Sequence, residues 1–526
     1  MAPALIAAFA LVCLGFPSYD YYFDGLTFAM AVEGVAGGGN PAWLLHPHHL
    51  LYSPAAYAAY RLAGALGLGV RAWLVMQWLS TLCAVAGLAL FHRILLDLGV
   101  TRPARLAGIV MLGASFGWWR FATQGDTTLP STVLLIVLLS ETLRPGTRAV
   151  RLGLVQAAAI LLHQAAVVFL PGACWGLWTR TRPKDRKREV AVLLGTTGAV
   201  SAAAYLAAGF GVLRVRSPDG LLAWMSGYFG ADPRTGYAPE YAGWAAANLG
   251  ASARGWWECW FGAWPGPAGP ASWGWHAAAG ICAAAILALA VRAARRAFRA
   301  DGAPDRRLAG EVLLVWLAAH AAFFTWWKPG HTRFWVLALP GWALLAVLGA
   351  EAGRRRGALR PILAWVPAIV LVVLVGTGPF RRESSPACNP YLPVAAAAAE
   401  ATPPDATIVI SGVGEWAALK AYLPYFAGRR MLILDWQFAD KAVPRTQALA
   451  ALKARLGDMA ARGRLYILSE ALDPRLEGHF RTCHGVGLSA IASALPRQRA
   501  VTEVAPGLSL SRVEPGPRSS PSRTGL

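Results

Sequence analysis

Apolar runs approaching 20 residues recur along this chain, and they constrain its fold more than any other feature, because about 20 mostly apolar residues are what a helix needs to cross a bilayer. The runs are Ala2 to Phe16, Ala72 to Leu96, Leu106 to Trp118, Thr128 to Leu143, Val190 to Phe210, Trp275 to Val291, Glu311 to Trp327, Phe334 to Ala350 and Pro361 to Gly376. A further apolar stretch, Leu152 to Trp178, is too long for one span and too short for two, with His163-Gln164 near its middle. A helical hairpin whose turn is buried in protein explains it, since unsatisfied backbone is not tolerated in lipid. The expectation is a mostly α polytopic membrane protein with about eleven transmembrane helices. Composition agrees: 56% of residues are hydrophobic and 15% charged, far from a soluble domain. The 23 Trp and 14 Tyr suit the two water interfaces of a bilayer. The first run carries no basic n-region and no small-residue cleavage site, so it reads as a retained span.

A net charge of +21 raises the question of nucleic acid, and the placement of the charge answers it. Arg93, Arg102 and Arg105; Arg144, Arg148 and Arg151; the run from Arg180; Arg292 to Arg307; and Arg354 to Arg360 are all connections between spans. They share one face only if Leu51 to Leu68 lies at the interface instead of crossing. The charge is then a topology signal that marks the cytoplasmic side, and nucleic acid is not an expected partner. Under this assignment the N-terminus is cytoplasmic. The long loop 17–71, Asp126, His163, the loop from Tyr228 to Trp275, Lys328 to Arg333 and everything after Phe380 face outward.

From Asn389 the pattern changes. DATIVISG, RRMLILDW and RLYILSE are short β-branched runs separated by amphipathic helical stretches, which reads as a small C-terminal α/β domain with a mostly parallel sheet. The expected division is 1–380 for the membrane domain, 381–512 for the exported domain and 513–526 for a Pro- and Ser-rich disordered tail. Gly412-Val413-Gly414 is better read as a strand-to-helix turn than as a nucleotide loop. Cys388 and Cys483 both fall in the exported part, where a disulfide is chemically permitted.

Four outward-facing clusters could carry chemistry. In YDYYFDG, Asp20 and Asp24 are four apart. They share a helical face if the helix starts early, and Asp24 is an N-cap if it starts there. The bland reading is a cap plus an interfacial charge; the sharper one is a general base or metal ligand. In HPHHLLYSP, His46, His48 and His49 lack the fixed spacing of a zinc motif, leaving packing or substrate contact as the main readings. In WWRFATQGDTTLPS, Arg120, Gln124 and Asp126 precede a span, where a recessed acid is costly and points to function. In KPGHTRF, Lys328, His331 and Arg333 are cations against the positive-inside trend, suited to lipid headgroups or to the phosphate of a lipid-linked substrate.

Taken together, these features resemble the GT-C superfamily of membrane glycosyltransferases, which includes protein O-mannosyltransferases, aminoarabinose transferases and bacterial lipopolysaccharide-core transferases. The resemblance rests on the acids after the first span (YDYYFDG), the HP-containing turn between interfacial helices (HPHHLLYSP), the acid before a later span (GDTTLP), the short hairpin, the basic cluster running into RFWVLALP, and the exported C-terminal domain. It implies transfer of a sugar from a polyprenyl-phosphate donor to a glycan, lipid or protein acceptor at the outer face of a bacterial plasma membrane. Asp24 matches the first-loop catalytic acid with Asp20 as its rival, Asp126 the second acidic position, and Lys328 or Arg333 the donor-phosphate contacts; His46, His48, His49, Arg120, His163 and His331 join the substrate-binding set. Family members often use a divalent metal, Mg or Mn, for which Asp24 and Asp126 are the candidate ligands. This chain departs from many relatives, which carry Asp-Glu or Glu-x-Asp where it has Asp-Gly. A flippase of lipid-linked saccharide and a non-catalytic scaffold are the competing readings, although the paired broken helices of two related halves that mark many transporters are not found.

Overall fold

The computed structural model describes residues 1–226, 246–263, 270–297, 303–352, 362–438, 443–495 and 497–514. Residues 228–245 and 264–269 of the loop from Tyr228 to Trp275, residues 298–302 of the basic connection Arg292 to Arg307, the basic stretch 354–360 and the tail from 515 lie outside them. The described chain divides into two compact units, one ending at Cys388 and the other beginning at Asn389.

The described residues of the first unit form helices and the turns between them. In chain order its helices are α1 (Ala2–Gly15), α2 (Phe23–Ala36), α3 (Tyr52–Ala65), α4 (Ala72–Asp97), α5 (Arg102–Gly113), α6 (Phe116–Ala122), α7 (Thr128–Leu143) and α8 (Ala149–Leu162). They continue with α9 (Leu170–Arg180), α10 (Arg186–Leu206), α11 (Pro218–Ser226), α12 (Ala246–Phe261), α13 (Pro270–Ala297), α14 (Pro304–Trp327), α15 (Thr332–Val336), α16 (Leu339–Glu351) and α17 (Ile362–Thr377). Among the described residues, five helical stretches are long and apolar enough to cross a membrane: Ala72–Asp97, Arg186–Val212, Ala271–Ala297, Pro304–Trp327 and Leu363–Glu383. Ala2–Gly15, Thr128–Leu143, Ala149–Leu162 and Leu339–Glu351 are shorter apolar helices. The chain is a multi-pass membrane protein.

Two expected spans are broken, each for a local reason. The run Leu106 to Trp118 splits into α5 and α6 because the Ser115 hydroxyl turns back to donate to the Leu112 carbonyl at 2.7 Å, the kind of local bond that competes with helix continuation. The run Phe334 to Ala350 splits into α15 and α16 ahead of Pro340, which has no N–H to give to the preceding turn. The hairpin is present as read. α8 ends at Leu162, His163 is extended, a 3-10 turn covers Gln164–Phe169, and α9 follows. The turn is buried, with Gln156 donating to the Ala166 carbonyl at 2.9 Å. Trp118, Trp260, Trp316, Phe169 and Phe324 are fully buried in one contiguous apolar core. α2 and α3 pack against each other and against α4, so the segment from Leu51 forms a short helix laid on the bundle.

The second unit is built on a five-stranded sheet of order β2-β1-β3-β5-β4, with β1 Thr407–Ile410, β2 Arg430–Ile433, β3 Leu465–Leu468, β4 Gln498–Ala505 and β5 Leu508–Val513. β1 pairs in parallel with β2 and β3, while β5 runs antiparallel to β3 and β4. The sheet is therefore mixed, not mostly parallel as expected: its antiparallel half is a hairpin around Pro506-Gly507. Leu452, Leu456 and Ala460 of the helix Arg445–Ala461 bury against Val409, Leu465 and Ile467. All seven cysteines are free thiols, and Cys388 and Cys483 are not joined.

Candidate functional site

The polar residues singled out by sequence collect into three groups at the end of the bundle where α1 and α14 finish and α4 and α7 begin. The first is centred on Arg333. α2 is N-capped by the extended Tyr22, so Asp24 is not the cap; it stands in the first turn, where the exposed N–H groups favour an anion. Asp24 Oδ2 accepts from Arg333 Nη1 at 2.6 Å. The same Nη1 lies 3.8 Å from Asp126 Oδ2. Asp126 is wholly buried in the turn between α6 and α7, and its Oδ1 accepts from the backbone N–H of Thr128 at 2.8 Å and from the Thr128 hydroxyl. Burial pushes the Asp126 carboxyl above its ordinary range, and the opposing pull comes chiefly from Arg333 and Thr128. Arg333 itself is 7% exposed; its guanidinium sits 5.1 Å from the Tyr22 ring centre and 5.0 Å from that of Phe334. This cation is thus held between two carboxylates and two aromatic rings, a geometry that matches the weak hydration and flat shape of guanidinium.

The second group holds Asp20 apart from Asp24. Arg120 Nη2 donates to Asp20 Oδ2 at 2.5 Å, and Arg120 Nε lies 3.5 Å from Glu383 Oε2. Glu383 is buried and also accepts from the Ser18 hydroxyl at 3.3 Å. Gln124 Nε2 donates to the Asp20 backbone carbonyl at 2.6 Å. Asp20 precedes α2, so the two acids do not share a helical face; each has its own arginine.

The third group joins the histidine turn to the hairpin break. His46 and His49 stack at 5.1 Å with rings 18° apart, and His49 meets His163 edge-on at 4.5 Å. Gln164 Nε2 donates to the Pro47 carbonyl at 3.0 Å, the Tyr205 hydroxyl donates to the same carbonyl at 2.6 Å, and the Gln164 backbone N–H donates to the His48 carbonyl at 3.1 Å. Burial pushes His46 down to about 4, against the pull of Asp24 and with a smaller push from Arg333, and pushes His48 down to about 3, reinforced by His46 and Arg333. His49 is lowered well below its ordinary value, by burial first and then by His163, His46 and Arg333. These imidazoles are therefore neutral near pH 7 and offer hydrogen bonds, not charge. His331 is likewise lowered by burial and by Arg333, and its Nε2 is 3.0 Å from the Tyr22 hydroxyl. Lys328 is pushed down to about 8, by burial first and then by Arg333, against the pull of Asp24.

Of the residues named from sequence, Asp24, Asp126 and Arg333 come together, Asp20 and Arg120 form a separate pair, and His46, His48, His49 and His163 form a cluster within reach of the Arg333 charge. Several contributors were not anticipated. Glu383 is not among the residues named from sequence, yet it anchors Arg120; the signal in the sequence is an acid directly after two arginines in PFRRE. Tyr22 shields Arg333, while Gln164 and Tyr205 hold the histidine turn. The expected metal position between Asp24 and Asp126 is filled by the Arg333 guanidinium, a fixed positive charge that opposes a divalent ion. Among the described residues, the ligand atoms close enough together to hold a metal belong to Asp435, His479 and His484 of the second unit.

No protein-family model matches the sequence, and no curated protein matches it. Among solved structures, the chain is similar to ArnT from Cupriavidus metallidurans bound to undecaprenyl phosphate, at 13% identity and a TM-score of 0.45 over 97% of both chains. It is also similar to the apo state of the same protein, at 13% identity and a TM-score of 0.40 over 97% of this chain and 96% of the other.

Proposed function

We propose that the chain is an inverting glycosyltransferase of the GT-C type that moves a sugar from a polyprenyl-phosphate donor to an acceptor hydroxyl at the outer face of the membrane. The observation that carries this reading is Asp24, a partly exposed carboxylate at a helix N-terminus, held through Oδ2 by an arginine that a fully buried second carboxylate supports from behind. Such a carboxylate is fixed in place while its other oxygen can face a bound hydroxyl, which is what a general base requires.

In the proposed reaction the acceptor oxygen attacks the anomeric carbon as Asp24 Oδ1 takes its proton. The bond from that carbon to the phosphate oxygen breaks, and the electron pair leaves with the polyprenyl phosphate. A single displacement of this kind inverts configuration. Lys328, a cation below about pH 8, would stabilise the charge that develops on the leaving phosphate. Arg333, already compensated by Asp24 and Asp126, is assigned to positioning instead of phosphate binding. No step calls for a metal. An apolar cavity of about 270 Å³ lined by Phe9, Val12, Leu88, Trp119 and Phe380 has the chemistry an isoprenoid tail needs, and it is one residue along α6 from Arg120.

The basic connections between spans favour a cytoplasmic N-terminus, a catalytic first unit in the membrane and an extracytoplasmic second unit from Asn389. The competing flippase would use the same polar cluster without chemistry. Proteoliposomes loaded with a labelled polyprenyl-phosphate sugar and an acceptor saccharide separate the two: a glycosidic product with release of polyprenyl phosphate is expected, and translocated donor with no product would replace this reading.

A further inference from the structure

The second unit contains a cluster that the proposed transfer reaction does not use. At the carboxyl ends of the three parallel strands the chain turns through Ser411-Gly412 after β1, Asp435 after β2 and Glu470 after β3, the edge at which open α/β sheets bind ligands. Gly412 has φ +83°, and a Cβ there would lie 2.3 Å from Ile433 Cγ2, so the turn after β1 presses against the end of β2. Asp435 begins just there, its backbone N–H donating to the Ser411 carbonyl at 3.1 Å.

Facing Asp435 is a short helical segment, Glu477–His479, that runs directly into a π turn over Phe480–His484 and ends at Gly485. In a π turn the hydrogen bonds connect residues five apart, which places His479 and His484 on one face. Their Nε2 atoms converge on a single oxygen, Asp435 Oδ1, at 2.9 and 2.7 Å. The rings lie at 74° to one another, with one ligand atom from each of the three residues inside a 4.8 Å span. Asp435 and His484 are buried, while His479 is partly open to solvent. Behind His479, the Cys483 sulfur is 3.7 Å from Nδ1, where it can orient the ring as outer partners of metal-bound imidazoles do.

We infer that Asp435, His479 and His484 form a binding site for a divalent transition metal of the zinc class. Two imidazoles and one carboxylate are the borderline donor set that prefers zinc and its neighbours over magnesium or calcium. Three protein ligands leave a fourth position for water on the side of His479. The ion would tie the end of β2 to the segment from Glu477 to His484. Because it lies in the second unit, its presence and the proposed sugar transfer are independent, and either can fail without the other.

The test uses the full-length protein in detergent, stripped with a chelator, loaded with Zn²⁺, dialysed and analysed for bound metal, with Co²⁺ loading read by visible absorption. The wild type is expected to retain one ion per chain and to show the intense absorption of four-coordinate cobalt. His479→Gln, at the exposed edge, is expected to fold and to bind Zn²⁺ at least about tenfold more weakly. His484→Gln and Asp435→Asn are expected to do the same where circular dichroism shows them folded. A wild type that retains no Zn²⁺, or a folded His479→Gln that binds as the wild type does, would overturn the inference and leave a hydrogen-bonded His-Asp-His cluster.

Discussion

Replacing Arg333 by Gln removes a cation that lies against both Asp24 and Asp126, and the structure sets the size of the effect. Asp126 is fully buried, with Oδ1 already committed to Thr128 and Oδ2 facing Arg333. Taking one partner from a buried ion pair typically costs about 3–5 kcal/mol, because it strands the other charge. At 3.8 Å the Asp126 contact is an ion pair without a close hydrogen bond, whereas the 2.6 Å contact to Asp24 involves a partly exposed acid. The cost should therefore fall near the lower figure, about 3 kcal/mol. If the stranded charge is the cause, neutralising it restores stability, so Arg333→Gln combined with Asp126→Asn should recover about 1–2 kcal/mol relative to the sum of the single changes. Reversible denaturant unfolding in mixed micelles, followed by tryptophan fluorescence, measures the four members of the cycle. Additivity to within about 0.5 kcal/mol would mean that Arg333 and Asp126 are neighbours without coupling, and the support assigned to Asp24 would be withdrawn.

Three further outcomes follow from the geometry. A Cβ on Gly25 would lie 2.4 Å from the Gly125 carbonyl oxygen and 2.7 Å from the Trp73 ring, so Gly25→Ala should move α2 away from the Asp126 turn and destabilise the protein by about 1–3 kcal/mol, a shift in apparent melting temperature showing it. Lys328 is charged below about pH 8, so KM for the polyprenyl-phosphate donor should rise as pH climbs through that value, and Lys328→Gln should raise KM at pH 7 and abolish this pH dependence. In the second unit, burial raises Glu470 to about 7 against the bonds it accepts from Ser411. The folded state then holds a proton that the unfolded state has lost, so stability present below the unfolded value of 4.5 is lost as pH rises through about 7. Glu470→Gln should remove this loss, which hydrogen exchange of the β1 and β3 amides reads directly.

The helices were legible where one local rule acted alone. Thr128 to Leu143 has the same bounds as read from hydropathy, and the interruption at His163-Gln164 could be placed because too many apolar residues stood between two turns. Where a side chain or a proline inside an apolar run decided the outcome, as at Ser115 and Pro340, hydropathy averaged over the break and merged two helices. The hairpin of β4 and β5 escaped because six of eight β4 residues are exposed, so the strand lacks the apolar alternation that marks a half-buried one. In the polar clusters, residue type was readable but pairing was not. Asp20 and Asp24 look equivalent in YDYYFDG, and only the return of Arg120 from α6 and Arg333 from α15 assigns each its partner. Contacts such as Asp24 to Arg333 join positions 309 residues apart, and no local pattern encodes them. Asp435 and His479 are likewise separated by 44 residues, and the five-residue interval from His479 to His484 becomes a shared face only through a π turn.

The most direct test of the account is the rate of sugar transfer from a labelled polyprenyl-phosphate donor by purified Asp24→Asn, beside wild type and Asp20→Asn at equal folded concentration. With the base removed, transfer by Asp24→Asn should fall by about 10²–10⁴-fold, while Asp20→Asn keeps measurable activity and wild type yields a product of inverted anomeric configuration. Undiminished transfer by Asp24→Asn, or a product of retained configuration, would contradict it.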